Sequence, residues 1–71
     1  MVKTPWYELP IKVNRNGTDM IIPANQVEDG DLVFFDGEKR QCDGMIPDDD
    51  EEIIYLIFGI DQWPSAIFDA K

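Results

Sequence analysis

The feature that most constrains the fold is a junction between a run of acids and a run of apolar residues. Five acids occupy residues 48–52, the acidic run, and the next eight residues, 53–60, the apolar octet, contain no charged side chain. The octet must be buried in the core or against a partner, whereas the acids must stay in water or meet a basic surface. The chain therefore has to place two neighbouring segments in opposite environments.

The apolar octet is interpreted as a β-strand. It holds four isoleucines with a tyrosine and a phenylalanine, and no face of it is polar, whereas a short helix on a small domain normally keeps a polar stripe. The helical alternative stays open, because Asp48 and Glu51 have the spacing of a capping box and Gly59 suits a helix end. As a strand, the octet has two apolar faces, one of which is either an exposed contact surface or covered by residues 1–9.

A hairpin is predicted at Asn16-Gly17, because this pair accepts the positive φ angles of a type I′ turn. The register then pairs residue 15 with 18, 13 with 20 and 11 with 22. This register gathers four apolar side chains on one face of the hairpin. They are Ile11, Val13, Met20 and Ile22.

A second two-residue turn is predicted at Asp36-Gly37. It joins a strand at residues 32–35 to a polar edge strand at residues 38–42, where charges discourage stray pairing. Residues 61–64 are interpreted as a turn and residues 65–68 as the last strand. Together these elements predict a mostly β, single domain over residues 1–71: an antiparallel sheet or partly open barrel of five to six short strands, with room for one short helix.

Charge is concentrated in one part of the 71-residue chain, whose net charge is −9. Residues 1–27 carry three bases and two acids, a net charge of +1, whereas residues 28–71 carry 13 acids and three bases, a net charge of −10. Such a field attracts basic proteins and opposes direct binding to nucleic acid or to anionic membranes. The competing explanation is that the acids only keep the protein soluble.

Residue types that support catalysis are scarce. The chain has no histidine and one cysteine, Cys42, which excludes Ser-His and Cys-His nucleophile pairs and zinc sites of the Cys/His type. We therefore expect a non-enzymatic protein without metal or cofactor. Weak Ca²⁺ or Mg²⁺ binding by alternating acids at 48, 50 and 52 is the less favoured alternative to solvated carboxylates. The N-terminus lacks a signal-peptide pattern, so a cytoplasmic location is the expectation.

The leading hypothesis is an acidic binding protein that docks on a basic surface of a partner protein, with Tyr55 and a turn residue, Trp63, as apolar anchors. The candidate partner-binding residues are Glu28, Asp29, Asp31, Asp36, Glu38, Asp48, Asp49, Asp50, Glu51, Glu52, Tyr55 and Trp63.

In size, charge and β content, and in setting acids before an apolar strand, the chain resembles the small acidic inhibitors that bacteriophages encode, such as inhibitors of uracil-DNA glycosylase. The resemblance implies a nucleic-acid mimic whose partner is a nucleic-acid-binding enzyme. For a phage-encoded protein the expected cytoplasmic location is the cytoplasm of the host. The alternative hypothesis is a homodimer or assembly module that pairs through the apolar octet. A third interpretation rests on Gly30-Asp31-Leu32-Val33, which resembles the Gly-Asp-x-Val turn of signal-peptidase-like proteases and implies a structural kinship alone.

Overall fold

A computed structural model describes residues 4–70 and shows two antiparallel sheets. The strands are β1 (Pro10–Arg15), β2 (Thr18–Pro23), β3 (Leu32–Phe35), β4 (Glu38–Gln41), β5 (Met45–Asp48), β6 (Ile53–Phe58) and β7 (Asp61–Pro64). The first sheet has the order β2-β1-β3-β4 and the second the order β5-β6-β7. The prediction of a mostly β, antiparallel domain is confirmed, with seven strands in two open sheets.

The hairpin predicted at Asn16-Gly17 is confirmed in its register. Ile11 lies opposite Ile22 and Val13 opposite Met20 in the β1–β2 pair. The turn residues have φ angles of 54° and 83°, in the left-handed region that a type I′ turn requires. Asp36-Gly37 forms an equivalent turn, and β4 is an exposed edge strand as predicted.

The two sheets share one hydrophobic core. Fully buried Ile11, Val13 and Val33 from the first sheet pack in one cluster with Ile54 and Leu56 from the second. The cluster also includes Ala24, Val27, Cys42 and Phe68. Partly buried side chains near the N-terminus, Trp6 and Leu9, pack against this cluster. The contribution predicted for residues 1–3 lies outside the described part of the chain.

The apolar octet forms the central strand of the second sheet, which confirms the strand interpretation. Ile54 and Leu56 are fully buried, whereas Ile53, Tyr55 and Ile57 alternate with them and are half-buried on the opposite face. The strand ends at Phe58, because Gly59, with φ of 65°, and Ile60 form a two-residue turn to β7. Ile60 is therefore fully exposed despite belonging to the octet.

Two predictions about the C-terminal part were wrong. Residues 61–64 form strand β7 rather than a turn, and they, not residues 65–68, are the antiparallel mate of β6. Ser65–Phe68 is a 3₁₀ turn that inserts Phe68 into the core. It follows Pro64, just as the other two 3₁₀ turns, Trp6–Glu8 and Ala24–Gln26, follow prolines with extended backbone. Beyond it, Asp69 bridges to Ile11 and the Ala70 N–H donates to the Pro10 carbonyl at 2.7 Å.

Candidate functional site

The acidic run is the connection of the β5–β6 hairpin. Asp48 ends β5 opposite Ile53, and residues 49–52 form the loop between them. The Asp48 carboxylate organises this loop, because its Oδ1 accepts the backbone N–H groups of Asp50 at 3.0 Å and Glu51 at 3.1 Å. The alternating arrangement expected for an extended run is therefore wrong, and the four loop acids gather at one hairpin tip.

Two further features define the shape of the loop. Glu52 has a φ of 56°, a left-handed conformation that strains a residue other than glycine or asparagine. The Tyr55 hydroxyl on β6 donates a hydrogen bond to Glu51 Oε1 at 3.2 Å. Burial and then the hydrogen bond to Glu51 raise the pKa of the Tyr55 phenol above its usual value. Across the described residues 4–70, the acidic run forms no ion pair with a basic side chain.

An apolar surface adjoins this loop on the outer face of the β5–β6–β7 sheet, the face opposite the core. Tyr55 lies between Ile46 on β5 and Pro64 on β7, and Ile46 is 51% exposed. Ile53 and Ile57 continue the face along β6. One of the two apolar faces of the octet is thus partly open to solvent, next to the acids.

Asp31 does not belong to an exposed acidic surface. It is only 3% exposed, and its carboxylate accepts Arg15 Nε at 2.8 Å, Arg15 Nη2 at 2.7 Å and the Glu28 N–H at 2.9 Å. The hydrogen bond from Arg15, opposed by burial, lowers the pKa of Asp31. The Gly30-Asp31 turn thus has a structural role, in which Asp31 fixes the loop before β3 to the end of β1.

The other predicted acids occupy separate turns. Glu28 forms an exposed ion pair with Arg15 at 3.1 Å, next to Asp29. Asp36 lies in the β3–β4 turn, and Glu38, which follows it, pairs with Arg40 at 3.3 Å. Among the predicted acids, Asp31 is buried and Asp48 is half-buried, whereas the others are exposed. The exposed acids of residues 28–38 do not share a hairpin with the acidic run.

Trp63 lies on a different surface from Tyr55. It is on β7 rather than in a turn, and it faces the same side of the sheet as its cross-strand neighbour Leu56, which is buried. At 49% exposure it lines an open groove of about 320 Å³. The groove is formed by Phe35, Phe58, Trp63, Ile67 and Phe68 with Arg40 and Asp61.

Sequence reasoning missed a pair of positively charged residues beside an aromatic ring. The ammonium groups of Lys12 and Lys39 lie 4.8 Å and 5.4 Å from the centre of the Phe34 ring. These residues come from three adjacent strands, β1, β4 and β3, so only the strand order brings them together. They place two positive charges on one face of the first sheet.

Cys42 is a buried thiol. Its Sγ donates to the Gly44 carbonyl at 3.0 Å, and burial raises the pKa of the thiol, which disfavours the reactive thiolate. Within residues 4–70, no group of three or more potential ligand side chains is placed to hold a metal ion. None of the helical turns in that part of the chain is long or apolar enough to cross a membrane.

Comparison of the chain with known protein families, curated proteins and solved structures found no match.

Proposed function

We propose that this protein is a non-enzymatic binding protein that docks on a compact basic patch of a partner protein through the loop at residues 49–52 and the adjoining outer face of the second sheet. The observation that carries the proposal is the position of the loop: four acids without a basic partner among residues 4–70 stand beside a partly open apolar face. Apolar surface rimmed by charge is typical of contact sites.

The conformation of the loop supports this function. Glu52 occupies a left-handed position where glycine or asparagine costs less, so the acid at this position lowers the stability of the protein. Asp48 and Tyr55 hold the loop by hydrogen bonds, which lowers the entropy lost when the loop binds. Strain and order in the same loop favour a role in recognition over one in solubility alone.

The clustering of the acids bears on the form of recognition. Acids gathered at one hairpin tip fit a compact basic patch better than they imitate an extended line of phosphates. A nucleic-acid-binding enzyme remains the proposed class of partner, since such enzymes carry basic patches on their surfaces. Asp31 has no part in the proposed contact, because Arg15 neutralises it.

The test compares two sets of variants with equal changes in charge. The loop variant is Asp49→Asn, Asp50→Asn and Glu52→Gln, which leaves the hydrogen-bonding groups of Asp48 and Glu51 intact. The control variant is Glu8→Gln, Asp29→Asn and Asp36→Asn. Proteins captured from a lysate by the wild type at low and high salt are quantified against both variants.

We expect a specific partner that the loop variant binds about tenfold more weakly, because three exposed charge pairs are lost, and that the control variant retains. Ile46→Ser should also weaken capture, whereas Ile60→Ser should not. Duplex DNA should displace a partner that is a nucleic-acid enzyme. Equal losses with the two charge variants would show that only net charge matters and would contradict the proposed docking surface.

A further inference from the structure

The edges of the two sheets are not equally protected against pairing with another strand. Strand β4 presents Glu38, Lys39 and Arg40, all exposed, and charged side chains discourage added strands. The edge strands of the second sheet, β5 and β7, contain Pro47 and Pro64, which supply no ladder donor. Strand β2 carries one exposed charge, Asp19, and ends in Pro23 as β7 ends in Pro64, but its three residues 20–22 are apolar and include neither a charge nor a proline.

The hairpin register shows which backbone groups β2 presents at this open edge. In a two-residue hairpin the pair that flanks the turn is hydrogen-bonded, and such pairs alternate with pairs that are not. Arg15–Thr18 flanks the turn, so Asp19 and Ile21 occupy the alternate positions. Their N–H and C=O groups therefore point away from β1, toward an edge that no strand of residues 4–70 covers.

The side chains of β2 favour an apolar neighbour. Ile21 is 61% exposed on the outer face of the first sheet. Met20 and Ile22, on the other face, pack against the core cluster but are only partly buried. An added strand would therefore cover apolar side chains on both faces as well as the free backbone groups.

We propose that β2 is the contact between two copies of this chain, in which the two β2 strands pair antiparallel about Ile21. Charge favours a second copy on this edge, because residues 1–27 carry a net charge of only +1, whereas residues 28–71, with a net charge of −10, repel their counterparts. The pairing joins the two four-stranded sheets into one eight-stranded sheet. It uses a different strand from the apolar octet, since β6 is the central strand and is already paired along Tyr55 and Leu56.

The register about Ile21 follows from the side chains that each alternative would bring together. A register centred on Asp19 places two carboxylates directly opposite each other, which is unfavourable. A register centred on Met20 places each Asp19 opposite an Ile21 of the other copy. Centring on Ile21 pairs the two exposed isoleucines and brings Met20 of each copy opposite Ile22 of the other, which extends both cores.

Disulfide mapping tests this register directly. In the proposed pairing the Cα atoms of the two Ile21 residues are about 5.5 Å apart, within reach of a disulfide, so Ile21→Cys should give a linked dimer under mild oxidation. The matched control is Asp19→Cys, whose Cα atoms would be about 13 Å apart, too far to link. Efficient linking of Met20→Cys instead would indicate a register shifted by one residue. The native Cys42 is fully buried and does not compete.

Light scattering on the wild type supplies the second readout. We expect a mass of twice 8.2 kDa that returns to 8.2 kDa in Ile21→Lys and stays doubled in Ile60→Lys, a change at an exposed isoleucine in the β6–β7 turn of the other sheet. A wild type that is monomeric at about 1 mM, where even a millimolar dimer is well populated, would overturn the proposal. Linking of Asp19→Cys as efficiently as Ile21→Cys would do the same. Neither outcome bears on the loop at residues 49–52, whose variants leave β2 unchanged.

Discussion

Arg15 binds both carboxylate oxygens of Asp31, with Nε donating to Oδ1 at 2.8 Å and Nη2 to Oδ2 at 2.7 Å. The two residues are 16 positions apart in the sequence. Their forked pair connects the end of β1 to the turn before β3. It therefore helps to fix how the β1–β2 hairpin meets the rest of the first sheet.

We expect Asp31→Asn to lower the free energy of unfolding by about 2 kcal/mol, because hydrogen bonds to charged groups contribute in that range. The loss should stay below that of a fully buried pair, since the Arg15 side chain is 30% exposed. Urea unfolding measures the change, with Asp29→Asn as the control that removes an exposed neighbouring charge. A loss in the control as large as in Asp31→Asn would assign the effect to net charge instead of to the ion pair.

The same pair predicts how stability changes in acid. The hydrogen bond from Arg15 lowers the pKa of Asp31 below the value near 4 of an unfolded chain. A carboxyl group with a lowered pKa contributes stability that is present above about pH 4 and is lost as the pH falls through its folded value. As the pH falls through this range, the free energy of unfolding should therefore decrease more steeply for the wild type than for Asp31→Asn. Parallel curves for the two proteins below about pH 4 would contradict the prediction.

Tyr55 gives the corresponding prediction at alkaline pH. Burial and Glu51 raise its pKa, so the folded state favours the neutral phenol and loses stability as the pH rises above the unfolded value of about 10. Glu51→Gln should shift the pKa of Tyr55 part of the way down, because burial, the larger cause, remains. Tyrosinate absorbance in a Tyr7→Phe background, which leaves Tyr55 as the single tyrosine, measures the shift. Glu52→Gln is the matched control and should shift the pKa less.

Glu52→Gly should stabilise the protein by roughly 0.5–1 kcal/mol, because glycine adopts a φ of 56° without strain. Asp50→Gly removes the same charge from the same loop but has no positive φ to relieve, so it should be neutral or destabilising. Thermal unfolding measures the change in stability of each variant. If both changes stabilise the protein equally, like-charge repulsion is the cause and strain is not.

Leu56→Ala should lower the free energy of unfolding by about 3 kcal/mol, because the side chain is fully buried and the core cannot close around the cavity completely. Ile60→Ala, a deletion of similar size in the same apolar octet, should change stability by less than about 0.5 kcal/mol, because Ile60 is exposed. Chemical denaturation distinguishes the two. A comparable cost at both positions would mean that Ile60 contributes to packing or to a contact with another chain.

Local signals in the sequence predicted the hairpins well. Asn16-Gly17 and Asp36-Gly37 both adopt positive φ angles, a property encoded in two residues and independent of the rest of the fold. The apolar octet likewise predicted a buried strand. The exposure of Ile60 shows, however, that apolar composition did not indicate where the strand ends. The Gly59-Ile60 turn carries no Asn-Gly or Asp-Gly signal, and this is why β7 was interpreted as a turn.

The candidate site was harder to predict, because it depends on pairings between distant segments. Asp31 is neutralised by Arg15 only because β1 and β3 are neighbours, with Val13 opposite Val33. Tyr55 and Trp63 were both expected to be binding anchors, yet they point to opposite faces of the second sheet because Tyr55 lies opposite Pro64 and Leu56 opposite Trp63. Sequence spacing alone fixes neither relationship.

The pairing of the last described residues with β1 has a consequence for synthesis of the protein. Asp69 forms a β-bridge with Ile11, and the Ala70 N–H donates to the Pro10 carbonyl. Phe68, which precedes them, packs in the core. A nascent chain can form its first hairpin early, but it gains these contacts only when residues 68–70 have left the ribosome. A product truncated before residue 68 therefore lacks both the core contact of Phe68 and the cover over the start of its own first strand.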